Sequence, residues 1–243
     1  MRLSVLSLLL VVSPAAAATF PEPYSSTKPA PGGRFVFVQL GDAAKEAEAP
    51  ADARRQFAEL RARYPATGLY PAGGPAPVWT LDGYAPIDNV FLTSDGVHLV
   101  RLEGTWWRTK DFPTQGKRLP ADVEQAQLAG PAVSFFANGK LLRQYTVADL
   151  TEAPARMRHS PEHVLWAAGG GLNEGTKRFV YFTQDGQKNV FDYPTGERLE
   201  KVAGGLSNPL AGWAVGAAGG LSLLVLAGWA YLVFGRRKAA TVL

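Results

Sequence analysis

Two long apolar runs flank a middle region in which apolar and polar residues alternate between tight turns. Leu3 to Val12 is largely apolar, follows a single basic residue, Arg2, and gives way to small residues in which Ala16 and Ala18 form an A-x-A pattern. That layout predicts a secretory signal over 1–18, with an apolar core about half of the ~20 residues a membrane span needs. Leu210 to Phe234 carries no charge. At ~1.5 Å per residue it is long enough to cross ~30 Å of hydrocarbon as a helix. Trp213 lies near one end of the run and Trp229 and Tyr231 near the other, where interfacial aromatics collect. Arg236, Arg237 and Lys238 follow at once and set the topology, because basic residues stay cytoplasmic. The expectation is a single-pass protein of a cell membrane: a transmembrane helix at 210–234, a short basic cytoplasmic tail at 235–243, and an N-terminal domain outside, periplasmic or extracellular.

Between the runs, 19–33 reads as a Pro/Gly-rich linker, 34–203 as an exported β-rich domain and 204–209 as a second short linker. "RFVFVQL", Arg34 to Leu40, has the apolar β-branched and aromatic content of a strand. Phe57, Leu60 and Tyr64 recur at helical spacing, with Asp52 placed to cap the helix and Pro65 to end it. From Leu69 onward the pattern becomes strands and turns. "LDG" (Leu81 to Gly83), "SDG" (Ser94 to Gly96), "ANG" (Ala137 to Gly139) and "QDG" (Gln184 to Gly186) carry hairpin chemistry, since Asp-Gly and Asn-Gly supply the positive φ of a type I′ turn. Gly96, Gly139 and Gly186 are 43 and 47 residues apart, near the ~40–45-residue period of a propeller blade. The expected fold is mainly β: antiparallel hairpin repeats, as a partial propeller-like arc or a β-sandwich, with one inserted helix and the C-terminal transmembrane helix.

Charge changes meaning once the ends are set aside. The whole chain is +4, yet four basic residues belong to the two targeting segments. The remainder balances 21 Lys and Arg against 21 Asp and Glu, so no electrostatic case for nucleic acid survives. There is no cysteine, which excludes disulfides, thiol chemistry and cysteine-ligated metals.

"RHSPEHVLW", Arg158 to Trp166, contains His159 and His163 in the zinc-hydrolase pattern H-x-x-E-H. A working metal pair needs both histidines on one face of a continuous helix, and Pro161 stands between them. Ser160-Pro161-Glu162 reads as a helix start that leaves His159 outside it, and no third histidine follows to complete a site. No G-x-S-x-G elbow, phosphate loop or calcium loop is present. "AAGGGLNEG", Ala167 to Gly175, reads as a loop between strands. Catalytic, cofactor and metal residues are therefore assigned to none. An envelope hydrolase using residues near His163 and Glu162 is the alternative. Trp106 and Trp107 are the candidate exposed contact, because neighbouring residues of a strand face opposite sides and "EGTWWRTKDFP" is loop-like. Gly212, Gly216 and Gly220 form a small-residue row of the kind that packs membrane helices.

The succession of "ELRARYPATGLYPAGGPAPVWTLD", "TSDGVHLVRL", "FFANGKLLRQYTVADL", "SPEHVLW" and "TQDGQKNVFDYPTGE", from Glu59 to Glu197, resembles an uncharacterised family of bacterial exported or membrane-anchored proteins with β-strand repeats. The resemblance implies a β-rich exported domain in which His163 and Trp166 belong to the common pattern. It brings no catalytic residues with it. The functional expectation is a membrane-anchored, outward-facing binding or scaffold protein. Its partners are membrane lipid, an extracytoplasmic protein or ligand, and a second span paired through the glycine row.

Overall fold

The computed structural model describes residues 24–85, 87–103, 106–108, 121–153, 158–159 and 163–203, with the backbone alone for 106–108, 158–159 and 163–164. Three four-stranded sheets follow one another along the chain. The first is β1 (Ser26–Pro29), β2 (Phe35–Gln39), β3 (Gly68–Pro71) and β4 (Trp79–Thr80). The second is β5 (Val90–Leu92), β6 (His98–Leu102), β8 (Pro131–Ala137) and β9 (Lys140–Thr146). The third is β12 (Ala167–Asn173), β13 (Arg178–Thr183), β14 (Gln187–Asp192) and β15 (Glu197–Ala203). Each is an antiparallel meander in sequence order, open at both edges, so none closes into a barrel. A smaller sheet joins β7 (Trp106–Arg108), β10 (Arg158–His159) and β11 (His163–Leu165) in the order β10-β11-β7.

The sheets stack face to face, and the two-residue period of each strand decides which neighbour a side chain meets. Val90, Leu92, Leu99 and Phe136 of the second sheet pack with Phe35, Phe37, Leu69 and Trp79 of the first. Phe91, Val100, Val133 and Phe135 point the other way, onto Phe179, Tyr181 and Phe191 of the third. Burial on both faces explains why "AVSFF" in β8 is buried at every position, Ser134 included. The outer face of the first sheet is covered by helix α2 (Ala51–Arg63), through Leu60 and Tyr64 against Val36, Val38 and Tyr70. The third sheet keeps a regular alternation in β13, where Phe179, Tyr181 and Thr183 are buried and Arg178, Val180 and Phe182 half-buried.

Connections sort by end. The turns joining first to second and third to fourth strands all lie at one end of the stack, here called the hairpin end. The second-to-third connections lie at the other. There the first sheet inserts α1 (Ala43–Glu48) and α2, the second inserts β7 and α3 (Ala121–Leu128), and the third makes only the turn Thr183–Gly186. Helix α4 (Val147–Leu150) leaves β9 at this connection end, closed by a capping box between Thr146 and Asp149.

This arrangement corrects the repeat expected from glycine spacing. The SDG turn joins first to second strands, ANG third to fourth, and QDG second to third, so equal spacing did not mark equal position. LDG is no hairpin: Asp82 and Gly83 lie in the link between the first and second sheets. Of these four motifs ANG alone has two successive positive φ values, 49° at Asn138 and 75° at Gly139, as a type I′ turn requires. Four helices are present among the described residues, where one was expected. Pro50, not Asp52, is the N-cap of α2, and Asp52 sits in its first turn. The stretch 19–33 contributes β1, held because Thr27 and Lys28 pair with Val38 and Phe37. "AAGGGLN" is strand β12, where a Cβ on Gly170 would sit 2.8 Å from Tyr181 Cδ2 and from the Val180 carbonyl. Gly170 serves close packing of two strands, which loop-like composition conceals. Among the described residues no helix is long and apolar enough to cross a membrane. The segments 1–18, 204–209, 210–234 and 235–243 lie outside them, with Gly212, Gly216, Gly220, Arg236, Arg237 and Lys238.

Candidate functional site

The first strands of the three sheets converge at the hairpin end on a cleft of about 240 Å³. Lys28, Pro29 and Pro31 line it from β1 and the turn after it, Val90, Phe91 and Leu92 from β5, and Leu172 and Glu174 from β12 and its turn. The lining is mostly apolar with one cation and one anion, the composition of a small-molecule site.

Lys28 is fixed by the fold. Its ammonium donates to the carbonyls of Val90, at 2.7 Å, and Ile87, at 3.3 Å, and stands 5.7 Å from the centre of the Phe91 ring. The 3₁₀ turn Ile87–Asn89 supplies one of those carbonyls and carries Asp88. Burial lowers the pKa of Lys28 below the usual lysine value, against the opposing pull of Asp88. Glu174 is fixed from the other side. Its carboxylate accepts from the Ser94 backbone N–H, at 3.1 and 3.0 Å, and from the Ser94 hydroxyl at 2.6 Å. One side chain of the third sheet thus clamps the β5–β6 turn of the second.

Beside the clamp lies a polar group between the same two sheets. The His98 ring meets Tyr193 edge to face at 5.5 Å, and His98 Nδ1 is 3.6 Å from Asp95 Oδ2. Burial alone would raise the Asp95 carboxyl. The Thr93 hydroxyl, the Val97 N–H and His98 outweigh it and hold the pKa below the usual range. Tyr193 is pushed up by burial and by the charges of Glu174, Asp95 and Asp192. Ser94 bonds to Glu174 and His98 faces Asp95, so the nucleophile-to-base contact of a hydrolytic triad is not made here.

A second set of buried polar groups lies on the inner face of the third sheet, toward the connection end. Tyr181 pairs directly with Asn189, and the Tyr181 hydroxyl, Asn189 Oδ1 and Gln187 Oε1 are buried without a hydrogen-bond partner. Asn189 Nδ2 donates to the Leu150 carbonyl at 3.1 Å, which fixes the direction of that amide. Burial raises the Tyr181 pKa well above its usual value, so the group is a neutral phenol.

The residues singled out from sequence lie elsewhere. Trp106 and Trp107 form β7, opposite Leu165 and Val164, so "WWR" is a strand and not a loop. His159 pairs with Val164 on β10, and His163 with Arg108 on β11. Both histidines belong to strands, which removes the four-residue helical spacing that the zinc pattern needs, and Ser160 and Pro161 of the expected helical or turn start lie outside the described residues. Glu162 lies outside the described residues. Trp166 is fully buried against Tyr181, at 5.6 Å between ring centres. Glu197 and Glu200 belong to β15. Among the described residues no three His, Asp or Glu converge as metal ligands. The cleft had no sequence signature of its own, because its walls come from three separate strands and only Lys28 and Glu174 are charged. No protein-family model, curated protein or solved structure matches this chain.

Proposed function

We propose that this is a single-pass membrane-anchored, outward-facing β-rich protein that binds a small ligand in the cleft between its three first strands. The fold is a partial propeller-like arc, three blade-like meanders stacked in order with their first strands innermost. The observation that carries the binding reading is the cleft itself: an apolar floor from three sheets, with Lys28 and Glu174 held in place by bonds that leave them on its walls. Orientation supports it. Strand β15 runs from the hairpin end to the connection end and stops at Ala203. The linker at 204–209 then spans at most about 20 Å at ~3.5 Å per residue before the apolar run begins. The connection end is therefore tethered to the bilayer and the cleft faces away from it. The glycine row Gly212, Gly216 and Gly220 offers a face for pairing with another span.

Two measurements test this reading. The chain lacks cysteine, so a single Thr176→Cys change places one thiol on the exposed β12–β13 turn. A membrane-impermeant maleimide should label it in intact cells, and should leave Ala240→Cys in the tail unlabelled. Labelling in the reverse pattern contradicts the topology. A small-molecule library screened by thermal shift on the purified full-length protein should yield stabilising compounds whose effect disappears in Leu172→Trp, which fills the cleft. Compounds that stabilise both proteins equally contradict the site.

A further inference from the structure

Resting on that reading, we infer that the cleft takes a small zwitterion with an apolar body, of the size and charge pattern of an aliphatic α-amino acid. Lys28 has three N–H donors, of which the Val90 and Ile87 carbonyls take two. The third is left for an anionic group. A carboxylate has about four acceptor directions, and the Ser94 N–H and hydroxyl occupy part of those on Glu174. At least one is left for a cationic donor. Lys28 bonds to the carbonyls of Val90 and Ile87 and Glu174 to Ser94, rather than to each other. Two fixed opposite charges on the walls of one cleft select a ligand carrying both signs. A ligand with only one sign would take water from the spare donor or acceptor direction of the other wall group and offer nothing in its place.

The rest of the lining is apolar. Val90, Phe91, Leu92 and Leu172 form it, with Pro29 and Pro31 at the rim. An aliphatic side chain buries there at a gain of ~25 cal/mol per Å² of apolar surface removed from water. The volume of about 240 Å³ sets the size. At roughly 20–30 Å³ per non-hydrogen atom it holds about ten such atoms, the size of a single amino acid. Both anchoring groups are preorganised, so little ordering is left to oppose binding.

Isothermal titration of the purified full-length protein with L-leucine, L-leucinamide and 4-methylpentanoate separates the terms. These three share one aliphatic body and carry both charges, the cation alone and the anion alone. L-Leucine should bind, and each single-charge analogue should bind at least about tenfold more weakly. Lys28→Met should erase the preference over L-leucinamide, and Glu174→Gln the preference over 4-methylpentanoate. Leu172→Trp should abolish binding of all three, and circular dichroism with a thermal midpoint confirms that each variant is folded. Equal binding of the three probes, or no binding of L-leucine up to about 10 mM, overturns the inference. In that event, a library compound whose stabilisation is lost in Leu172→Trp keeps the cleft as a binding site while the zwitterion is rejected. The absence of any such compound removes both.

Discussion

The same four-residue turn is built twice, once at each end of the stack. Thr93-Ser94-Asp95-Gly96 joins β5 to β6 at the hairpin end, and Thr183-Gln184-Asp185-Gly186 joins β13 to β14 at the connection end. Local chemistry is shared. In each the threonine hydroxyl donates to the aspartate carboxylate and accepts a returning backbone N–H, from His98 at 3.1 Å or from Gln187 at 3.2 Å. The glycines take φ of 73° and 89°. Their surroundings differ. Asp185 Oδ2 accepts from the backbone N–H groups of Glu152 and Ala153, at 2.7 and 2.9 Å, and so anchors the chain where it leaves the second sheet. The first turn is anchored through its backbone and its serine. Arg34 donates to the Ser94 carbonyl at 3.0 Å, the Trp79 indole N–H to the Gly96 carbonyl at 2.8 Å, and Ser94 to Glu174. One turn sequence therefore serves two sheet junctions by different atoms, and only the junction at the hairpin end borders the cleft.

Substitutions sharpen that contrast in decreasing order of effect. Gly96→Ala should cost about 3 kcal/mol or more in denaturant unfolding. Its φ is 73°, and its Cβ would lie 2.8 Å from Phe35 and 2.9 Å from Leu69. Asp185→Ala should cost about 3 kcal/mol, because it strands two backbone N–H groups and the Thr183 hydroxyl, whereas Asp95→Ala should cost about 1 kcal/mol. Equal losses from the two aspartates would show that the extra anchoring of Asp185 carries no weight. Ser94→Ala and Glu174→Ala should each cost about 1 kcal/mol and should be strongly non-additive, with the double variant little worse than either single one. Additive losses would mean that the clamp does not couple the second and third sheets.

Acid titration gives the smallest effect. Burial alone would raise the carboxyls of Asp95, Asp185 and Glu46, but hydrogen bonds lower all three below their usual values: from Thr93 and Val97, from Thr183 with Ala153 and Glu152, and from Ser25 and Arg61. A carboxyl depressed in the folded state adds stability above its unfolded pKa and loses it as pH falls through the folded value. Stability should thus be level above about pH 5 and fall below about pH 4, and Asp185→Asn should flatten part of that fall. A transition that instead weakens as pH rises from 5 to 7 would contradict the assignment.

Local features were legible in the sequence where local chemistry determines them. The strand at Phe35–Gln39, the helix ending before Pro65 and the type I′ turn at Asn138-Gly139 depend on side-chain period and on φ, both written in a few adjacent residues. Position within a meander depends on which strands pair across long separations, and turn spacing carries no record of that. The same limit hid β12, because Gly169, Gly170 and Gly171 look like a loop until strand β13 is placed beside them and the Tyr181 ring against Gly170. It also hid the cleft. The sequence points to Trp106 and Trp107 as the contact, and to His163 only under the hydrolase alternative, and all three lie in strands of the smaller sheet β10-β11-β7. Lys28 lay in a stretch read as a linker and Glu174 in one read as a loop, and only the stacking of three sheets brings them to one wall-lined space.

Hydrogen–deuterium exchange with mass spectrometry, run on the full-length protein with and without saturating L-leucine, tests the central claim most directly. The account predicts protection confined to peptides covering 26–33, 87–97 and 170–177, the three strands and turns that border the cleft. Protection at β7 and β11, or no protection anywhere, would contradict it.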